Sequence, residues 1–339
     1  MKLALLSFMI LVGCAQMTSL NLRHHQFGMQ PTKIIWFQVA GLDEEHLALL
    51  RFGYPTVENK TVLENAVCVG QAWSFNLYSL RPTPALSFVS QLTGKKDLKN
   101  SCEDWKHRPI WNYLGGRGYG SGIIEVDAKA SESLVAAREC DDGQKFLGDS
   151  TLWLMQPSAP TNTTAYLPSE NQQFKSGVYW DRSCNSRGCG TTLSSVLASL
   201  YTPFSKRSSK HIFVVRDFSF LHALERKDLV AAREILREID RSIAPFMRSA
   251  EGKDDMLVIV SGGGAIDLDF PAEGKDWQQF EKSGANAFPR RGELSVPVFA
   301  QGARAENFCG MYEESQIFER VLSGPKQQGL ELKIINPFN

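Results

Sequence analysis

Val296-Pro-Val-Phe-Ala-Gln-Gly-Ala-Arg-Ala-Glu-Asn-Phe-Cys-Gly310 opens as a short β-rich run and breaks into small and polar residues. Working outward, four similar runs precede it: Ile34 to Val39, Ser121 to Val126, His211 to Val215 and Leu257 to Val260. Short apolar runs rich in Val, Ile and Phe and closed by glycine or polar residues read as strands buried on both faces. Between two of them, Asp228 to Met247 places Leu229, Ala232, Ile235, Leu236, Ile239 and Ile243 at helical spacing, with charges on the other face. That stripe reads as core packing. Strands alternating with helices predict an α/β fold, a single large, mostly parallel sheet sandwiched by helices. Residues 155–190 are rich in Pro, Asn, Thr and Ser and read as a surface excursion within the same domain.

The chain has 339 residues, with 37 basic against 37 acidic side chains. No basic stripe is visible in the sequence, so a nucleic-acid partner is not expected. The amino terminus carries one cation, Lys2, and then an apolar run too short to span a bilayer. It reaches Leu11-Val12-Gly13-Cys14, which resembles a bacterial lipobox. That resemblance implies a lipoprotein signal peptide over residues 1–13, acylation of Cys14 (palmitate among the chains), a tether over 14–30 and a domain over 31–339. Two acyl chains anchor stably where one binds marginally. Ala15-Gln16 lacks an aspartate after the cysteine, which in such proteins implies the outer membrane. The expected location is therefore the bacterial cell envelope, lipid-anchored and facing periplasm or exterior. The alternative is an ordinary secretory signal with an incidental cysteine. Beyond Cys14 stand six cysteines: Cys68, Cys102, Cys140, Cys184, Cys189 and Cys309. An even number in an exported protein suits disulfides, and Cys184 with Cys189 could close a local loop. Zinc is the rival reading, but only His211 and His222 lie nearby and no CxxC occurs.

Taken in order, the blocks resemble the alkaline phosphatase superfamily, across most of residues 33–320 and most weakly over 141–205. The Val296–Gly310 stretch is the most specific, being similar to that family's VPVxAxGxxAxxFxG signature. The family's chemistry uses a serine nucleophile beside two zinc ions and a magnesium, whose paired charges stabilise attacking and leaving oxygens. Zinc takes nitrogen and oxygen ligands and magnesium takes oxygens, so aspartate, glutamate and histidine are expected at fixed places.

This sequence departs from that pattern almost everywhere it can be followed. Where the first strand would end in Asp-Gly, it has Ala40-Gly41. Counting back from Thr93-Gly94, the nucleophile position lands on Thr83-Pro84, and proline cannot attack phosphorus. The magnesium threonine matches Ser133. The block Val215-Arg-Asp-Phe-Ser-Phe-Leu-His-Ala-Leu-Glu225 puts Arg216 at the magnesium glutamate, Leu221 at the zinc aspartate and Glu225 at a zinc histidine. His222 falls on a residue that is not a principal ligand. The Asp-His pair after Leu257–Val260 becomes Gly263-Gly264, and the last zinc histidine falls on Arg291. Disturbing one residue behind a metal ligand typically costs about 10–100-fold in affinity or activity. Losing most of the ligands themselves implies that zinc and magnesium are lost and that no cofactor is bound.

The expectation is a non-catalytic envelope lipoprotein on an alkaline phosphatase-like scaffold, a pseudoenzyme serving as an anion-binding or protein-interaction module. Its partners would be the membrane through Cys14 and an envelope protein. Glu225 and Arg291, of opposite sign at one former zinc position, are expected to pair. Arg216 with the amides of Gly262, Gly263 and Gly264 would make an anion cradle, against the simpler reading that the glycines allow a tight turn. The catalytic alternative is a divergent phosphatase or phosphodiesterase with Thr83 as nucleophile, and Asp217 and His222 as acid–base groups or a single-metal site.

Overall fold

Lys33-Ile-Ile-Trp-Phe-Gln-Val-Ala40 is buried along all but its first residue, which only a strand with neighbours on both sides and cover on both faces allows. A computed structural model describes residues 30–52, 61–170, 173–186, 188–283 and 286–322. Its strands are β1 (Lys33–Ala40), β2 (Cys68–Trp73), β3 (Gly120–Val126), β4 (Thr151–Met155), β5 (Thr164–Tyr166), β6 (Gly177–Asp181), β7 (His211–Asp217), β8 (Met256–Gly263), β9 (Ile266–Asp269), β10 (Phe288–Gly292), β11 (Ser295–Gly302) and β12 (Gly310–Glu313). Ten of them form one sheet in the order β12-β2-β11-β8-β1-β7-β3-β4-β6-β5, and β9 and β10 form a separate ribbon. Every neighbouring pair in the large sheet is parallel except where β11 runs against β8 and β2. The α/β sandwich expected from the sequence is the observed architecture.

All five strands read from the sequence are present, and β1, β7 and β8 form the centre of the sheet. Residues 155–190 do more than wander over the surface, because they contribute the outer strands β5 and β6. The long amphipathic helix runs Leu229–Ala250, and Ala232, Leu236, Ile239 and Ile243 of its stripe are buried. Asp228 caps it by accepting the Ala231 amide at 3.0 Å. Core clusters cover both faces of the sheet, one under this helix and the helix Leu193–Arg207, the other under Trp111, Leu114 and Ile317. Among the described residues, no helix is long and apolar enough to cross a membrane.

Helix Pro84–Thr93 fixes the functional end of the molecule. Thr83 caps it with Pro84 in the first turn, and Gly94 closes it in the left-handed region at φ 71°. The helix lies directly on the end of β8. A Cβ at Gly263 would meet Phe88 Cδ1 at 2.7 Å, and one at Gly264 would meet Pro84 Cγ at 2.7 Å. The glycines are there because the helix is there.

Disulfides join Cys68 to Cys309, Cys102 to Cys140 and Cys184 to Cys189. The first ties β2 to the segment entering the edge strand β12, across a sequence separation of 241. Replacing Cys68 and Cys309 together by alanine is expected to lower unfolding free energy by about 2–5 kcal/mol, checked by denaturant titration.

Candidate functional site

In open sheets of this kind ligands bind beyond the carboxyl ends of parallel strands. Here that end divides into a filled centre and an open cleft beside it.

The centre is apolar. Ala40 at the end of β1, Phe88 of the overlying helix, Ala128, Phe218 and Leu221 form one buried cluster. The Phe88 and Phe218 rings meet edge to face with centroids 5.5 Å apart. Arg216 at the end of β7 is fully buried below them, its guanidinium carbon 5.7 Å from the Phe88 ring and 5.4 Å from the Phe218 ring. Its Nη1 donates to Glu125, the residue in register with it on β3, and its Nη2 donates to the Glu132 carbonyl at 3.3 Å. The Glu125 carboxylate also accepts the Leu134 amide at 2.9 Å and the Ser133 hydroxyl at 2.5 Å. A buried charge is tolerated only when paired and hydrogen-bonded, and this network supplies both.

Each residue singled out in the sequence has a definite place. Ala40 and Leu221 belong to the apolar cluster, and Gly263 and Gly264 are backed by Phe88 and Pro84. Gly262 lies under Leu42 and Pro297, and its carbonyl accepts from Gln91 at 2.8 Å. Arg216 and the three glycines therefore do not form an open anion cradle: the cation is already neutralised by Glu125, and side chains cover the glycines. Ser133 caps a short turn at Leu134–Glu139 and serves Glu125. Glu225 is exposed and lies 3.2 Å from Lys129. The Arg291 side chain, and Cys14 with the whole of residues 1–29, lie outside the described residues. Thr83 caps its helix, accepting the Leu86 amide at 3.4 Å, and does not line the cleft that holds His222. Asp217 is buried, which lifts its carboxyl to about 6 against the hydrogen bonds from Ser219. Asp217 and His222 take separate partners, Ser219 for the one and Asp127 with Glu132 for the other.

The residues at the positions that the sequence resemblance gives to zinc and magnesium do not fit either ion. Ala40, Leu221, Gly263 and Gly264 offer no donor side chain, the Phe88 ring occupies the space in front of β8, and Arg216 brings a positive charge. Among the described residues, no three His, Cys, Asp or Glu side chains are grouped to hold a metal ion.

The open cleft is about 790 Å³ and lies between the loops after β3 and β4 and the helix Ser219–Glu225. A second cavity of about 560 Å³ adjoins it, sharing Asp127, Pro157 and Arg226. His222 lines the larger cleft and not the second cavity. The imidazole places Nδ1 3.0 Å from Asp127 and Nε2 3.1 Å from Glu132. Burial opposes its charge, but hydrogen bonds to two carboxylates win and lift its pKa to about 9. With both nitrogens facing acceptors, the ring carries both protons at neutral pH and has no lone pair with which to act as a base. The sequence did not reveal Glu125, Asp127, Glu132 or Phe88. One signal was available: Glu125 is a lone carboxylate in an otherwise apolar strand, and such a group demands a buried partner.

Removing the carboxylate by Glu125→Ala leaves Arg216 unpaired and is expected to cost about 3–5 kcal/mol, while Arg216→Met combined with Glu125→Leu recovers most of that loss in the same denaturant titration. NMR titration should find the His222 ring changing charge near pH 9, not near 6.5. Because the folded-state pKa is raised, the stability it contributes is complete below pH 6.5 and is lost as pH rises through about 9. His222→Gln should flatten that dependence.

No family model matches the chain, and no curated protein matches it in sequence. Solved structures do. The chain is similar to alkaline phosphatase from the Antarctic bacterium TAB5, with TM-score 0.64 at 13% identity, covering 87% of this chain and 98% of that one. Against Thermus thermophilus alkaline phosphatase the TM-score is 0.70 at 10% identity, with 91% and 94% covered. The lipoteichoic acid synthase LtaP from Listeria monocytogenes gives 0.51 at 12% identity, with 86% and 71% covered. Identities this low speak for the fold alone, and the fold is that of the alkaline phosphatases.

Proposed function

We propose that this chain is a non-catalytic member of its fold class, an envelope lipoprotein anchored through Cys14 that works by binding a partner. The observation that carries the reading is the Phe88 ring packed against Gly263, within the apolar cluster of Ala40, Phe218 and Leu221. A hydrolase of this fold needs a polar, water-accessible cavity where that ring sits. Function belongs to the site and not to the fold, and the site here has been rebuilt as core. The partner surface under this reading is the cleft around His222. Its loops, 127–139 and 156–162, follow strand ends, where a rigid scaffold commonly presents binding residues.

The lipid anchor and the envelope location rest on the lipobox-like Leu11-Val12-Gly13-Cys14. The loss of zinc and magnesium rests on the residues at the ligand positions. Thr83 as nucleophile is the competing idea. It is weakened because Thr83 caps its helix and does not line the His222 cleft.

The purified full chain should contain no stoichiometric zinc or magnesium by elemental analysis. It should release no phosphate from aryl phosphate monoesters or diesters above the rate of a Thr83→Ala variant. Tightly held zinc, or turnover abolished by Thr83→Ala, would return the protein to the hydrolases.

A further inference from the structure

At the opposite end of the sheet, the amino-terminal ends of the central strands lie side by side, with Lys33 in register with both His211 and Met256. The described chain begins at this end. The Pro31 carbonyl accepts from the Tyr119 hydroxyl at 2.6 Å, and the Thr32 amide donates to the Asp255 carbonyl at 2.8 Å.

Beside that point a groove of about 480 Å³ opens between the helices Leu193–Arg207 and Leu229–Ala250. Its cations are Lys33, Lys206, Arg241 and Lys253, and Tyr201 and Phe246 give it an apolar side. Lys33 is paired with Asp255 at 2.8 Å and Arg241 with Glu238 at 3.2 Å. Lys206 and Lys253 are exposed and make no ion pair with any described residue. Three more exposed cations extend the face. Arg248 stands two turns along the helix from Arg241, and Lys210 passes its carbonyl to the Gly120 amide at 2.9 Å, with Arg117 just before that strand. Against them at this end stand the exposed carboxylates Asp149, Glu251 and Asp254.

We propose that this face seats on an anionic lipid surface, with an acidic headgroup between Lys206 and Lys253 and its apolar portion against Tyr201 and Phe246. Three observations favour a lipid surface over a small soluble anion. The cations spread over a face wider than one ion. The groove joins charge to apolar side chains, as an amphiphile requires. The first described residues, Gln30 and Pro31, lie on this side, and the apolar run of residues 3–12 precedes them in the sequence. Charge and groove stand without the anchor; only the approach of this face to a membrane rests on the Cys14 reading. Seated this way, the domain would turn its His222 cleft away from the bilayer, at the far ends of the same strands.

The test uses the full chain carrying Cys14→Ser, with and without Lys206→Glu and Lys253→Glu, sedimented with two kinds of vesicle. One is phosphatidylcholine alone and the other contains about one-third phosphatidylglycerol, an anionic surface to which each nearby basic residue contributes. The reading is the ratio of anionic to neutral binding, which cancels any contribution of an uncleaved apolar leader. The double charge reversal should lower that ratio by about 10–30-fold, since each basic residue near such a surface counts. The preference should fade as salt shortens the screening length. An equal ratio in both chains overturns the proposal. So does loss of the preference in inorganic phosphate but not in chloride of matched ionic strength, which would give the groove to a free anion. Mass measurement of the unsubstituted chain extracted from membranes reports acylation at Cys14 separately, so failure of the anchor is told apart from failure of the face.

Discussion

A single buried ion pair organises the carboxyl end of the central parallel strands. Arg216 and Glu125 face each other across β7 and β3 with no exposure to water. An isolated charge there would be prohibitively costly, so neither residue can be held without the other. The carboxylate does more than neutralise. By accepting the Ser133 hydroxyl and the Leu134 amide it sets the path of the loop after β3. That path brings Glu132 to His222, whose other nitrogen meets Asp127. From one cross-strand contact the loop, the charged base of the cleft and the protonation of the imidazole follow in turn.

The apolar half of the same region is fixed by close packing. Two glycines at the end of β8 let the helix Pro84–Thr93 settle onto the sheet, and its Phe88 ring then shares a cluster with Ala40, Phe218 and Leu221. Interiors pack to crystal-like density, and this cluster is part of that interior. The cation and the rings also suit each other, since a guanidinium over aromatic faces is favoured where water is excluded.

Much of this architecture was legible in the sequence, for physical reasons. Strands buried on both faces must be continuous apolar runs, so Ile34–Val39, His211–Val215 and Leu257–Val260 announced the centre of the sheet. A long helix covering it must show a stripe, and Leu229 to Ile243 does. The edge strands were hidden, because β5 and β12 are short and half exposed and carry little apolar signal. The site was legible only in part. Arg216 stood out as a cation at a ligand position, yet its partner lies 91 residues away on a strand whose adjacency no local pattern reveals. Read alone, it suggested a free charge waiting for an anion; read with Glu125, it is a structural group. The glycines were ambiguous in the same way, since a turn, a phosphate cradle and a close helix contact all ask for the same residue.

The bond between Cys68 and Cys309 has a consequence for the chain as a topological object. It closes into one covalent ring nearly everything between the second strand and the last, including the exposed connections around residues 155–190. A protease in an oxidising compartment that nicked one of those connections would open the ring without dividing the molecule. The cut protein would remain a single particle until a reductant reached the sheet edge.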